Sequence, residues 1–290
     1  MNKGVLIAGT VVTALAAAAS GTWWMGYPAY SAAGPDEAAS ASTAPTTTED
    51  QTPLPIPPVP PRIAEGADYD RCLSMLNTDP AGAYAFADAW IATGGGEGAV
   101  HCLALADVAQ GDVETGAEAM DKLAGSSKAP ATARAAVYGQ AGQAWLMARA
   151  PDRAFASATL ALSLTPDDPD LLIDRSIASA NLDRYQDALD DLTRALDLDP
   201  RRPDALVFRS SAWRHLDQPD LARDDIDRAL AQDPENADAL LERGILLQRR
   251  GDREGARQDW ERAITLAPDT ATADLAQQNL QLLEAGPDRR

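Results

Sequence analysis

Four prolines, Pro166, Pro200, Pro234 and Pro268, stand 34 residues apart. Alanine precedes each of them at the same two offsets, as Ala154, Ala188, Ala222 and Ala256 and again as Ala161, Ala195, Ala229 and Ala263. A fixed period of this length predicts a stack of identical supersecondary units rather than one globular core. One such unit cannot bury its own apolar face, so each needs its neighbours. Small residues that recur at fixed places let two helices approach closely, while large residues between them fill the gaps. The expected fold class is therefore all-α.

With the proline as position 32 of a unit, residues 169–202 carry Leu172, Ser176, Tyr185, Ala188, Ala195 and Pro200 at positions 4, 8, 17, 20, 27 and 32. Residues 203–236 carry Leu206, Ser210, Trp213, Ala222, Ala229 and Pro234, and residues 135–168 carry Tyr138, Gly142, Trp145, Ala154, Ala161 and Pro166. Residues 237–247, then Gly251-Asp252 and Ala256 through Pro268, give the same pattern again. This distributed pattern resembles the tetratricopeptide repeat (TPR). The resemblance implies a right-handed superhelical solenoid of antiparallel helix pairs. Trp145, Trp213 and Trp260 fall at the large packing positions, so they read as core rather than as a ligand box. The same phase extends back more weakly to 97–130 through Leu103, Ala104, Gly111, Gly116 and Met120, and to 63–96 through Phe86 and Ala89, with Gly82 in place of the first alanine.

The chain thus divides into a targeting segment (1–30), a linker (31–62), two degenerate helix pairs (63–134), four repeats in register (135–270, the three from 169 being strongest) and a capping helix with a tail (271–290). Residues 271–285 are helical in period but rich in Gln, as the outer face of a terminal cap should be. Lys3 is followed by an uncharged stretch from Gly4 to Pro35. A signal peptide cut after small residues and a retained transmembrane anchor both fit it. Gly4 to Trp24 as a helix is about 30 Å long, and Trp23, Trp24, Tyr27 and Tyr30 suit an interfacial belt. Either outcome predicts export, to the periplasm, with inner-membrane anchoring as one form. The linker is rich in Ser, Ala, Thr and Pro, and Pro53 to Pro61 favours an extended polyproline spacer.

A net charge of −19 opposes binding to nucleic acid or to an anionic membrane surface. Membrane contact is therefore expected only through the amino-terminal segment. Cys72 and Cys102, the two cysteines of the chain, fall on the first helices of adjacent units. In an oxidising compartment such a pair predicts a disulfide, worth about 3 to 4 kcal/mol for a loop of about 30 residues in the chain-entropy model. Zinc binding is disfavoured, because His101 is the one nearby histidine and the spacing matches no zinc pattern.

Arg175, Arg209 and Arg243 recur at position 7, and Asp191, Asp225 and Asp259 recur at position 23 of the same three units. Where the Arg is missing, as at Ala141, the Asp is missing too, as at Ser157. This co-occurrence predicts a ladder of ion pairs between first and second helices, with Arg194, Arg228 and Arg262 placed to share the Asp three residues earlier.

The TPR resemblance further implies a concave groove lined by first helices. At the family's groove positions stand Met147; Ile173, Ile177 and Asn181; Val207, Arg214 and His215; and Leu241, Ile245 and Arg249. These predict an apolar groove with a polar edge, suited to a peptide or partner protein. No Gly-rich phosphate loop, nucleophile elbow or metal-ligand spacing is found, so no catalytic, cofactor-binding or metal residues are expected. Two functions remain open at this level: a non-catalytic scaffold or adaptor in the cell envelope, and a structural spacer that self-associates into a homo-oligomer.

Overall fold

The structure, a computed structural model, describes residues 62–285. The targeting segment 1–30, all but the last residue of the 31–62 linker and the tail 286–290 lie outside the described residues. The described chain is all-helical: α1 (Ala67–Met75), α2 (Pro80–Ala92), α3 (Gly96–Gln110), α4 (Val113–Ser126), α5 (Ala131–Met147), α6 (Pro151–Leu164), α7 (Pro169–Asn181), α8 (Tyr185–Leu198), α9 (Pro203–His215), α10 (Pro219–Gln232), α11 (Ala237–Arg249), α12 (Arg253–Leu266) and α13 (Ala271–Ala285). Each odd helix packs on the even helix that follows it, and each pair packs on the next, which makes a solenoid closed by α13. Among the described residues no helix is long and apolar enough to cross a membrane.

Local chemistry sets the boundaries. Proline occupies the first turn of α2, α6, α7, α9 and α10, where its missing N–H costs nothing. Asp168 caps α7 by accepting from the Asp170 and Leu171 amides, and Asn236 and Asp252 cap α11 and α12. Each first helix from α3 to α11 is followed by a left-handed residue at position 15: Gly111, Arg149, Asp183, Asp217 and Gly251 have φ of 96, 57, 58, 56 and 88°. That conformation frees the chain to turn back as the second helix.

The repeated alanines form the seams. Ala154, Ala188, Ala222, Ala256, Ala161, Ala195, Ala229 and Ala263 are all buried. Where helices come closest even alanine is too large: a Cβ on Gly116 of α4 would lie 2.4 Å from the Ala104 carbonyl oxygen of α3. Gly244 of α11 likewise makes room for the fully buried Trp260 of α12, whose Nε1 would lie 2.3 Å from an added Cβ. Trp260 donates that N–H to the Leu241 carbonyl oxygen at 3.1 Å. Trp145 is buried as well, whereas Trp213 is only partly covered.

The first pair departs from the sequence expectation. In α2 the buried small residues are Ala83 and Ala87, while Gly82 is half-buried and Ala89 exposed. Asp79 caps the helix through the Gly82 amide and Pro80 opens it, so α2 starts one residue later in the repeat than α6 or α8. Its first seam residue moves by one with it, from Gly82 to Ala83. The four extra residues before the strong repeats lengthen α5, whose 17 residues compare with 13 in α7.

The first two pairs carry the cross-link. Cys72 and Cys102 are joined as a disulfide between α1 and α3, with Cα atoms 6.2 Å apart and both residues fully buried. Beside it the Tyr69 hydroxyl donates to His101 Nδ1 at 2.5 Å, and His101 Nε2 donates to Gln140 Oε1 at 2.7 Å, which links α1, α3 and α5. Burial pushes His101 down to about 4, against the pull of the Gln140 bond, so the ring is neutral at neutral pH.

Candidate binding groove

The inner face of the strong repeats is built by α7, α9 and α11, which sit side by side because each is the first helix of its pair. Two kinds of polar link fix them. Within repeats, Arg175 donates to Asp191 at 2.6 and 2.8 Å, Arg209 to Asp225 at 2.7 and 2.8 Å, and Arg243 to Asp259 at 2.7 Å through both nitrogens. The three Asp are buried, and each fork-on-carboxylate contact is bidentate, which fixes the rotation of the first helix on the second. Arg228 approaches Asp225 at 3.4 Å, whereas Arg194 turns outward to Asp167.

The second kind of link runs between repeats along the inner face, and it escapes a search for residues at equal offsets. Gln143 of α5 donates to Asp174 of α7 at 3.2 Å. Arg202 joins Asp170 of α7, at 2.6 Å, to Asp204 of α9, at 2.7 and 3.0 Å. Arg214 of α9 clamps the buried Glu242 of α11 at 2.6 Å, and Asp238 of α11 accepts from Thr272 of α13. Each link uses a different pair of residue types, so no period reveals it. Burial raises the Asp174 carboxyl to about 7, helped by Asp170 and Asp168 and opposed by Gln143 and Arg202.

Within this frame the groove residues separate into two groups. Ile173 and Val207 are 5 and 8% exposed and belong to the core, so they offer no surface. Ile177, Leu241 and Ile245 are partly exposed, and Met147 is 39% exposed at the end of α5. Asn181 donates to the Ile177 carbonyl oxygen at 2.8 Å. Arg214 is committed to Glu242 and to Ser211 Oγ at 2.9 Å. Arg249 donates to the Arg214 carbonyl oxygen at 3.1 Å and lies a loose 4.0 Å from Asp217. His215 stacks on Tyr185 with ring centroids 4.3 Å apart. Partial burial, then the Arg214 and Arg249 charges, push His215 down to about 4. The groove is thus apolar in its floor with a polar corner at the carboxy ends of α9 and α11, where Arg214 and Arg249 stand against the carboxylates of Glu242 and Asp217. Among the described residues no group of three metal-ligating side chains converges.

The TPR family profile matches residues 143–212 and again residues 211–271. No curated protein matches the sequence. Among solved structures, one described as the functional characterization of Pseudomonas aeruginosa pilF superposes with a TM-score of 0.56 at 16% identity, covering 73% of this chain and 96% of that one. The APC/C hetero-tetramer Cut9-Hcn1 gives 0.56 at 15% identity over 73% of this chain and 42% of that chain. A thermophilic TPR protein of Thermus thermophilus gives 0.53 at 17% identity over 65 and 99%. At these identities the likeness is one of fold. TPR domains typically hold proteins or peptides and are generally non-catalytic scaffolds. Residues 143–271 of this chain are tetratricopeptide repeats, and its described helices form a TPR solenoid.

Proposed function

We propose that the protein is an exported, non-catalytic adaptor of the cell envelope whose concave groove holds a peptide or partner protein. The observation that carries this reading is the apolar strip of Ile177, Leu241 and Ile245. It stays partly exposed on the inner face although Ile173 and Val207 beside it are buried. A surface kept apolar in a chain of net charge −19 favours a bound partner over plain solvation. The buried Cys72–Cys102 disulfide supports an oxidising compartment, and hence the periplasm. The amino-terminal segment then serves as signal or as anchor, with the linker as spacer. No cofactor enters this reading.

The test is crosslinking in intact cells from a photoreactive residue at Ile245, followed by mass spectrometry. Adducts to a different protein uphold the adaptor. Adducts only to a second copy of this chain replace it with a self-associating spacer.

A further inference from the structure

At the seam between α5 and α7 a carboxylate and an apolar pair stand side by side. Gln143 of α5 donates to both oxygens of Asp174 of α7, at 3.2 and 3.4 Å, so the two helices meet at that level. Both are first helices of their pairs and run the same way. One turn further along each stands an apolar side chain: Met147, four residues past Gln143 and 39% exposed, and Ile177, three residues past Asp174 and partly exposed. Residues three and four apart on a helix are neighbours, with Cβ atoms about 5 to 6 Å apart. A ligand group resting on Met147 and Ile177 is therefore within one side-chain length of the Asp174 carboxylate.

The charge around this seam is unbalanced. Arg202 supplies the positive charge and shares it between Asp170, at 2.6 Å, and Asp204, at 2.7 and 3.0 Å. Asp168 is taken up in capping α7. The hydrogen bonds of Asp174 come from Gln143, a neutral amide, and the charges that act on its carboxyl are the anions Asp170 and Asp168 and the cation Arg202. Even with Asp168 set aside, Asp170, Asp174 and Asp204 stand against one guanidinium. Arg149 follows Met147 in the next turn, but about 9 Å along the helix from Gln143, where it is largely screened, and Asp183 holds the equivalent turn position one repeat on. A carboxylate drawn partly out of water and met only by an amide costs stability, and a cation brought by a ligand offsets that cost.

We propose, resting on the groove reading above, that the α5–α7 seam takes a partner segment in which a Lys or Arg stands beside an apolar residue. The apolar side chain covers Met147 and Ile177, and the cation pairs with Asp174. Charge and apolar surface together select this occupant. An acidic segment would meet the excess of carboxylates, and a wholly polar one would leave Met147 and Ile177 bare. The net charge of −19 also draws a basic segment toward the molecule.

The experiment is methyl NMR of the full chain labelled at methionine and isoleucine, at physiological salt and at pH 8, where Asp174, with its pKa of about 7, is mostly ionised. The probe is the peptide acetyl-Ser-Leu-Lys-Ser-Leu-Lys-Ser-amide, compared with the same peptide carrying Gln for Lys. The Met147 and Ile177 methyls should shift saturably while the buried Ile226 stays fixed. Gln for Lys should weaken binding about tenfold, the loss expected for one charge-assisted hydrogen bond. Asp174→Asn should weaken the Lys peptide to the same extent and leave the Gln peptide unchanged, with an unmoved Ile226 signal reporting an intact fold. Asp220→Asn removes an equal charge from an 87% exposed side chain of α10 and should change binding by less than about twofold. Equal binding of the two peptides, or no shift at Met147 and Ile177, overturns the proposal. Equal losses from the two variants overturn it as well, since they mean attraction by net charge alone. Shifts confined to Ile245 overturn the seam but leave the groove reading standing. In-cell crosslinks from Ile245 that are only homotypic overturn the groove reading itself.

Discussion

Arg209 and Asp225 show at single-residue scale how this chain uses its charges. Their side chains are 14 and 5% exposed, so removing one partner leaves a buried charge uncompensated. Asp225→Ala should therefore cost about 3 to 5 kcal/mol, while a double change to well-packed apolar residues should restore most of it, as seen in denaturant midpoints. This pairing is legible in the sequence because both residues recur at one period and are lost together at Ala141 and Ser157. The partners of the position left behind are not legible: Ser157 donates instead to Asp121, which also accepts from Trp145 Nε1, both at 2.7 Å.

A buried group, His101, and a half-buried one, Asp174, give opposite pH dependences. His101 has a folded pKa near 4, below its usual value near 6.5, so the unfolded chain binds the extra proton between those values. Stability is full above about pH 6.5 and falls by about 3 kcal/mol as the pH drops through 4. Asp174 has its folded pKa raised to about 7, so its contribution is present at low pH and is lost as the pH rises through 7. Asp174→Asn should accordingly raise the unfolding midpoint at pH 8 more than at pH 5, and an equal effect at both values would refute the assignment.

At the scale of elements, glycine marks where helices touch or turn. Gly251→Ala forces a side chain into a left-handed residue at φ 88° and should cost about 1 kcal/mol. Gly244→Ala sets a methyl against the immobile Trp260 indole and should cost about 1 to 3 kcal/mol, more than helix propensity would return. Both are checked by denaturant melts of the single variants. The helix pairs, their turns and the cap were readable because period and turn chemistry agree. The register of α2 was not, since an Asp-Pro start shifts a helix by one residue without changing its composition. Nor was the division of the groove: Ile173 and Ile177 look alike in sequence, and only the assembled packing buries the first and leaves the second partly exposed.

Over the whole molecule, the described core falls into two clusters that meet within α11. One runs from α1 to α11 and the other joins α11, α12 and α13 around Trp260. The buried Arg214–Glu242 clamp crosses from α9 to α11 at that boundary, so Glu242→Ala should release the last repeat ahead of the rest. Hydrogen exchange would then show α12 and α13 opening separately from α7 and α8. At the other end, replacing Cys72 and Cys102 by Ser removes about 3 to 4 kcal/mol by the loop-entropy estimate, with the loss confined to the first pairs of the stack.

The claim on which the functional account turns is that partners meet the inner face and not the outer one. A photoreactive residue placed in turn at Ile177 and Ile245 inside, and at Leu198 and Leu221 on the second helices α8 and α10, tests it in intact cells. The outer pair is a stringent control, being 44 and 43% exposed and just as apolar. The account predicts adducts to another protein from Ile177 and Ile245 and none from Leu198 or Leu221; adducts of equal yield from the outer pair would contradict it.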